Sequence, residues 1–209
     1  MPEVKEKLEQ FGIPVLVEHS SYEPHPLGRT EWLKLYGVLL DKEEPAQELF
    51  EKQADKVKNL ENSKNTGKTV AFFYINSIGA ANVRKSNDYV AKMIELAGGK
   101  YIFDELGEDD SALSTMNMQM EEFYAKAKDA DYIIYNSTID GELTTIDQLL
   151  AKSSLLKDFK AVQNGNVWCT EQNLFQDTMG LGTMIEDIHA MLTAEDERLD
   201  ALTYMHRLK

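Results

Sequence analysis

The chain has 209 residues and a formal net charge of −14, from 22 basic and 36 acidic residues. So strong a negative charge argues against nucleic acid or an anionic membrane as the main partner, because both are polyanions. A single cysteine, Cys169, excludes an internal disulfide. No apolar run approaches the roughly 20 residues of a membrane-spanning helix, and the charged residues 1–10 do not have the pattern of a signal peptide.

The first 40 residues predict two helices separated by a strand and a loop. Residues 4–11 have helical spacing, and residues 13–17 (IPVLV) form the nearly continuous apolar run of a strand buried on both faces. Residues 18–29 are polar and interrupted by proline, which predicts a loop, and helical spacing resumes over 30–40. One strand cannot make a sheet, so 13–17 either joins later strands or lacks a neighbour.

Residues 41–63 predict one long helix. Asp41 is a candidate N-cap, and Glu43, Glu44 and Pro45 suit a first turn. A narrow apolar stripe follows at Ala46, Leu49, Phe50, Ala54, Val57 and Leu60. A helix of this length spans roughly 30 Å. We interpret it as a spine between two structural units; the alternative is an ordinary packed helix within one domain.

After this helix, apolar strands alternate with amphipathic helices. The predicted strands are 70–75, 101–103, 132–135, 161–162 and 167–169. The predicted helices are 87–97, 120–127, 146–151, 181–192 and a charged final helix over 199–205. This alternation predicts a Rossmann-like α/β unit with a parallel sheet.

Ligands of open α/β sheets bind beyond the carboxyl ends of the strands, here residues 76–85, 136–139 and 170–177. Arg84 and Lys85 precede a helix with Ser86 or Asn87 as the expected N-cap, which suits either an anion site or a solvated basic pair.

A second candidate surface follows the last strand. Trp168, Asn173, Phe175 and Gln176 offer an apolar surface with amide groups, unless Trp168 belongs to the core.

Motifs of enzymes and metal sites are absent from the sequence. It has no Gly-rich phosphate loop, GxSxG, HExxH or CxxC motif, so no catalytic residue is predicted. His19 and His25 have carboxylates nearby, but His189 and His206 fall on helices predicted at the far end of the chain. We therefore predict no bare metal site.

Several segments, in order and spacing, resemble the helical-backbone (class III) periplasmic binding proteins of ABC importers, the receptors for ferric siderophores, haem and cobalamin. They are 12–15 (GIPV), 22–32 (YEPHPLGRTEW), 86–89 (SNDY), 97–102 (AGGKYI), 130–134 (ADYII) and 161–168 (AVQNGNVW).

The resemblance implies a particular domain organisation. Two α/β lobes in this family are joined by one rigid helix, and a chelated ligand lies in the cleft between them. On this pattern, residues 1–40 end an N-terminal lobe, 41–65 link, and 66–209 form the C-terminal lobe, with the final helices able to pack back on the first. Family members have further strands and an export signal before the GIPV strand, so most of the first lobe is expected to be absent from this chain.

The function implied by the resemblance is that of a substrate-binding component, or a fragment of one, that binds a chelated metal for import. It implies no enzyme activity and no resident cofactor. The expected partners are a membrane ABC permease and the small-molecule chelate, and the full-length protein is expected in the periplasm or anchored outside the membrane. Two alternatives stay open: a sensor or interaction module that has lost its ligand, and a cofactor-handling α/β enzyme.

The resemblance also suggests site residues. The ligand-facing candidates are Tyr22, Glu23, His25, Arg29, Arg84, Tyr89, Trp168 and Asn173. Receptors of this family present a surface glutamate from each lobe to the permease, and here the matching position is Glu121 or Glu122.

Finally, residues 13–17 are too apolar for an exposed strand. We expect the chain to self-associate through residues 1–40, with Trp32, Leu33 and Tyr36 in the interface. A monomer would favour the single-domain interpretation of the long helix.

Overall fold

The computed structural model describes residues 2–60, 65–107, 113–194, 199–200 and 202–209. The helices are α1 Pro2–Gln10, α2 Pro26–Leu39, α3 Glu43–Leu60, α4 Tyr89–Leu96, α5 Met120–Ala127, α6 Ser137–Asp140, α7 Ile146–Lys152, α8 Lys160–Gln163 and α9 Leu181–Thr193. The strands are β1 Thr69–Ile75, β2 Ala81–Arg84, β3 Lys100–Tyr101, β4 Thr115–Met118, β5 Tyr132–Tyr135, β6 Val167–Thr170 and β7 Met205–Arg207. Short 3-10 turns lie at Ser20–Tyr22, Ser154–Asp158 and Thr178–Gly180.

Within the described residues the strands form one sheet in the order β4-β2-β1-β5-β6-β7, with β3 beside the start of β1. Strands β3, β1, β5 and β6 are parallel, and β2, β4 and β7 run antiparallel at the two sides. The predicted α/β class is confirmed. The parallel strands carry the most apolar sequences because helices cover both of their faces.

The antiparallel strands were not predicted. Residues 76–85, predicted as a loop, contain β2, which returns from β1 through a tight turn. The side chain of Asn76 accepts hydrogen bonds from the backbone N–H groups of Ile78 and Ala80, and Gly79 takes a φ of 80° there. Only short polar residues mark this turn, so the hairpin leaves a weak sequence signal.

Two other predicted elements were wrong. Residues 161–162 belong to α8 instead of a strand, and the last segment forms strand β7 instead of a helix over 199–205. β7 exists because it pairs with β6, joining Cys169 to His206 in register. Pairing with a distant partner overrides local helical spacing.

The first 25 residues have no strand among the described elements. Residues 13–17, predicted as a strand, are extended, and Leu16 is 57% exposed. No described strand lies beside them, so their backbone forms no ladder. The predicted loop also ends early, because Pro26 opens α2 and His25 caps it by accepting a hydrogen bond from the N–H of Leu27.

Helix α3 is shorter than predicted. It has 18 residues and begins at Glu43, while Asp41 takes a φ of 56° in the turn after α2 and is not its N-cap. Residues 61–64, the predicted end, lie outside the described residues. No described helix is long and apolar enough to cross a membrane.

Two glycines let α3 pack closely on its neighbours. A Cβ on Gly37 of α2 would lie 2.6 Å from the Cβ of Ala46, and one on Gly182 of α9 would lie 2.7 Å from the carbonyl oxygen of Gln53. Helix α3 therefore lies directly against both α2 and α9.

Candidate functional site

A cavity of about 350 Å³ lies between the segment before α2 and the start of α4. Its lining residues are Ser21, Tyr22, Glu23, Pro24, Arg29, Asn87, Asp88, Tyr89, Leu113 and Ser114. The cavity brings together four of the predicted ligand-facing residues, Tyr22, Glu23, Arg29 and Tyr89, from stretches almost 60 residues apart in sequence. An open cavity with aromatic and charged walls is suited to a small ligand.

Arg29 holds the two sides of this cavity together. Its Nε donates a hydrogen bond to the carbonyl oxygen of Glu23 at 2.9 Å, and its Nη2 donates to that of Ser21 at 2.7 Å. The guanidinium carbon lies 3.7 Å from the ring centroid of Tyr89, a close cation–π contact. Burial lowers the pKa of Arg29, but a guanidinium stays charged at any physiological pH.

Glu23 is held against α2. Its Oε1 accepts a hydrogen bond from the indole nitrogen of Trp32 at 3.1 Å. A Cβ on Gly28 would lie 3.1 Å from its Oε2, so this glycine leaves room for the carboxylate. Glu23 thus forms a rigid negative edge of the cavity.

The other side of the cavity is built at the start of α4. Asp88 is the N-cap, in place of the expected Ser86 or Asn87, and its Oδ1 accepts from the N–H of Val90 at 2.9 Å. Burial raises the pKa of Asp88, while the charge of Arg84 opposes that rise. Burial likewise raises the pKa of Tyr89 to about 12. The Tyr89 hydroxyl is therefore protonated at neutral pH and able to donate a hydrogen bond.

Arg84 and Lys85 are not a solvated basic pair. Lys85 is only 3% exposed, and Arg84 lies over the ring of Phe175 with its guanidinium carbon 4.5 Å from the centroid. Nη1 of Arg84 lies 3.6 Å from Oδ2 of Asp88. The carboxylate of Asp88 occupies the helix terminus that the alternative interpretation gave to an external anion. Arg84 contributes a charge behind the cavity wall.

The structure does not place the remaining predicted residues on the cavity wall. His25 caps α2, and burial lowers its pKa. Trp168 is 1% exposed inside the sheet, which matches the core alternative, and its indole nitrogen has no hydrogen-bond partner among the described residues. Asn173 is exposed in a turn after β6. Glu121 and Glu122 lie exposed in the first turn of α5, and their docking role stays a prediction.

Sequence reasoning missed Asp88 as a cavity residue and did not place Phe175 beside it. The Tyr89 and Phe175 rings meet edge to face with centroids 6.4 Å apart, linking α4 to the loop after β6. The acidic residue directly before the first apolar position of α4 was the available signal for Asp88. Nothing local indicated that Phe175 lies under Arg84.

An α/β sheet with a small-ligand cavity at a helix start defines a class of binding proteins. The family model for periplasmic binding proteins matches residues 3–174, and the chain belongs to this family. Family and fold are those of solute-binding proteins, which confirms the prediction that the chain is not an enzyme.

Curated relatives include two uncharacterized lipoproteins of Methanocaldococcus jannaschii. One is 34% identical over 173 residues, covering 81% of this chain and 40% of the relative. The other is 25% identical over 217 residues, covering 99% of this chain and 53% of the relative. The chain therefore spans about half or less of the length of these two relatives.

Similar solved structures include the ABC-type Fe³⁺-hydroxamate transport system protein from Saccharomonospora viridis, with a TM-score of 0.69 at 19% identity, covering 91% of this chain and 65% of that one. The periplasmic heme-binding protein RhuT from Roseiflexus sp. has a TM-score of 0.69 at 18% identity, covering 92% of this chain and 71% of that one. At these identities the likeness shows the fold.

Proposed function

We propose that this chain is a substrate-binding component of an ABC importer and that its cavity holds part of a chelated metal, such as a ferric siderophore, haem or a corrinoid. The observation that carries this proposal is the contact of Arg29 with Tyr89 across the cavity, 3.7 Å from guanidinium to ring. Two segments distant in sequence meet there through a charge and an aromatic face, both of which are useful for recognising a large anionic chelate.

The charges near the cavity refine the ligand class. Two guanidinium groups, Arg29 and Arg84, face the carboxylates of Glu23 and Asp88, so local charge nearly balances. Aromatic surface is supplied by Tyr22, Tyr89 and Phe175. A flat or bulky chelate with few negative charges fits this balance better than a small polyanion such as phosphate.

Names of similar proteins support the proposal. One solved relative is named for Fe³⁺-hydroxamate transport and another for heme binding. Two sequence relatives are lipoproteins, which supports an exported, membrane-anchored location for the whole protein. An ABC permease is then the partner, and Glu121 or Glu122 is its contact on this part of the protein.

Direct titration tests the ligand proposal. The full-length natural protein is titrated with hemin, a ferric hydroxamate siderophore and cyanocobalamin, followed by visible absorbance and tryptophan fluorescence. We expect saturable binding of one of the three. Loss of the charge in Arg84→Ala should weaken it roughly tenfold, because a charge-assisted contact is worth about 1.5–3 kcal/mol.

A second variant separates ligand recognition from loss of stability. Arg84→Ala leaves the buried Asp88 without its cation, whereas Asp88→Asn keeps an efficient N-cap and removes the opposing carboxylate. Asp88→Asn should bind an anionic chelate at least as tightly as the natural protein. If none of the three ligands binds the natural protein, the sensor interpretation replaces this proposal.

Docking has its own test. Charge reversal at both Glu121 and Glu122 should reduce uptake in cells and leave ligand affinity intact, because both side chains are exposed and outside the cavity. Reversal of Glu51, an exposed carboxylate on α3, is the control. Unchanged uptake in the double variant would remove these residues from the docking surface.

We also propose that this 209-residue chain self-associates through its first 40 residues. Val4, Phe11, Ile13, Leu16 and Val17 are all exposed there. Apolar surface of this kind is stabilised when it is covered, at about 25 cal/mol per Å².

A further inference from the structure

Glu142, Glu171 and His206 meet at the end of the sheet formed by β6 and β7. Within the part of the chain that the structure describes, they are the one group of three such side chains close enough to share a metal ion, with ligand atoms all within 4.8 Å of one another. His206 lies on β7, Glu171 follows β6 directly, and Glu142 follows the turn at Gly141. None of the three lines the cavity at Arg29.

The histidine is oriented by the backbone. Its Nε2 lies 2.7 Å from the carbonyl oxygen of Leu143, which can only accept a hydrogen bond, so Nε2 carries a proton. The other nitrogen, Nδ1, lies 2.8 Å from Oε1 of Glu171 and 3.7 Å from Oε1 of Glu142. In a neutral imidazole this nitrogen presents a lone pair to two carboxylates. Such an arrangement requires a positive charge between them, either a proton or a metal ion.

We propose that His206, Glu171 and Glu142 bind a divalent transition-metal ion of the zinc type, with Nδ1 and one oxygen of each carboxylate as ligands. Zinc binds nitrogen and oxygen at about 2.0–2.2 Å, which places tetrahedral ligand atoms roughly 3.3–3.5 Å apart. The observed separations of 2.8 and 3.7 Å bracket that value, so small side-chain rotations complete the site.

Two surrounding features suit a metal. A ligating histidine ordinarily donates its second N–H to a carbonyl or carboxylate, as Nε2 does here to Leu143. In addition, Glu171 and His206 line a cavity of about 910 Å³, which gives the ion an entry path and room for a water molecule as fourth ligand. The bound ion would join β7, the loop after β6 and the turn before Leu143.

Calorimetric titration with Zn²⁺ at pH 7.5, in a buffer that does not bind zinc, tests the site. We expect one ion per chain and a raised melting temperature at excess zinc, because the ion binds only the folded site. Binding should weaken at pH 5.5, where protons compete for Nδ1.

Three variants identify the ligands. His206→Ala should lower zinc affinity at least tenfold. Glu142→Gln should lower it severalfold with an unchanged melting temperature in the absence of zinc, because Glu142 is exposed. His19→Ala, which removes an exposed histidine beside Glu18, is the matched control and should bind as the natural chain does. The proposal is overturned if the natural chain binds no zinc, or if both site variants bind it unchanged; the group would then hold a proton only.

Discussion

The residues before 61 and the sheet that follows them use apolar side chains in opposite ways. Of the aliphatic and aromatic side chains described in residues 3–60, Ala46 and Val57 are the buried ones besides Pro26. In the sheet region, by contrast, nearly every apolar residue of β1, β5 and β6 is buried. An apolar sequence therefore does not secure burial; a neighbouring element must supply the opposite surface.

Two similar segments make this difference concrete. Residues 13–17 and strand β1 both read as apolar runs, yet only β1 forms a ladder, with β2 and β3 on one side and β5 on the other. Each strand needs a partner to satisfy its backbone groups. Residues 13–17 have none among the described residues, so their apolar side chains stay exposed.

The largest expected effect separates the two regions by core packing. Phe123 is fully buried, with its ring centroid 4.5 Å from that of Phe73, whereas Phe11 is 73% exposed. Phe123→Ala should lower the free energy of unfolding by about 3–5 kcal/mol. Phe11→Ala should change it by less than about 0.5 kcal/mol. Urea denaturation measures both, and equal losses would mean that the N-terminal region is packed as tightly as the sheet.

Self-association gives the next effect. If residues 13–17 are covered by a second chain, Leu16→Lys should raise the dissociation constant at least tenfold, because burying a leucine is worth about 1.5–3 kcal/mol. Light scattering across micromolar concentrations measures the change. Ile78→Lys is the control, since Ile78 is 81% exposed in the β1–β2 turn. A monomeric natural chain would contradict the proposal.

A third variant acts on the contact between the regions. Gly182→Ala places a methyl group against Gln53 and should push α3 from α9, at a cost of about 1–3 kcal/mol. Proteolysis within α3 should become faster while the sheet stays protected. Glu186→Ala is the control, because it removes only the partly exposed ion pair with Lys56, worth about 0–1 kcal/mol. Equal proteolysis rates in the two variants would show that the close approach is unimportant.

The smallest effect lies within the sheet and depends on pH. Partial burial tends to raise the pKa of Asp131, but hydrogen bonds from Lys160 and Thr69 outweigh it and lower the pKa. A lowered folded-state pKa stabilises the protein above the ordinary value, and that stabilisation is lost as the pH falls through the folded-state pKa. Asp131→Asn should therefore lower stability by up to about 1 kcal/mol at pH 7 and have no effect in strong acid.

Thermal melts from pH 7 to strong acid measure this difference. Asp104→Asn, at an exposed pair with Lys100, should show a smaller change. A constant difference between the natural chain and Asp131→Asn at every pH would exclude the ionic explanation.

The parallel centre of the sheet could be predicted from sequence, and its sides could not. β1, β5 and α9 carry strong periodic patterns, and their predicted bounds lie within a residue or two of the observed ones. β2 and β7 are short and mixed in polarity, so they depend on pairing across the sheet. Their register is fixed by residues far away in sequence, and no local pattern carries that information.

The candidate site shows the same limit. Tyr22, Arg29 and Tyr89 were found through the resemblance to a family, and the structure brings them to one cavity. The zinc group was missed for a physical reason: His206 was assigned to a helix, whereas strand pairing carries it to Glu171. Trp168 was ambiguous because a tryptophan after a turn suits both a pocket and a core.

The close contact of Gly37 with Ala46 has a consequence for the order of folding. It joins residues only nine apart, and the N–H of Lys42 closes the turn on the carbonyl of Gly37 at 2.7 Å. The pairing of Val70 with Tyr132, in contrast, closes a loop of about 60 residues. Local contacts of this kind form within microseconds, and distant strand pairing is slower. The α2–α3 hairpin can therefore form transiently while the sheet is still unpaired, and it becomes stable only when α9 arrives to cover α3.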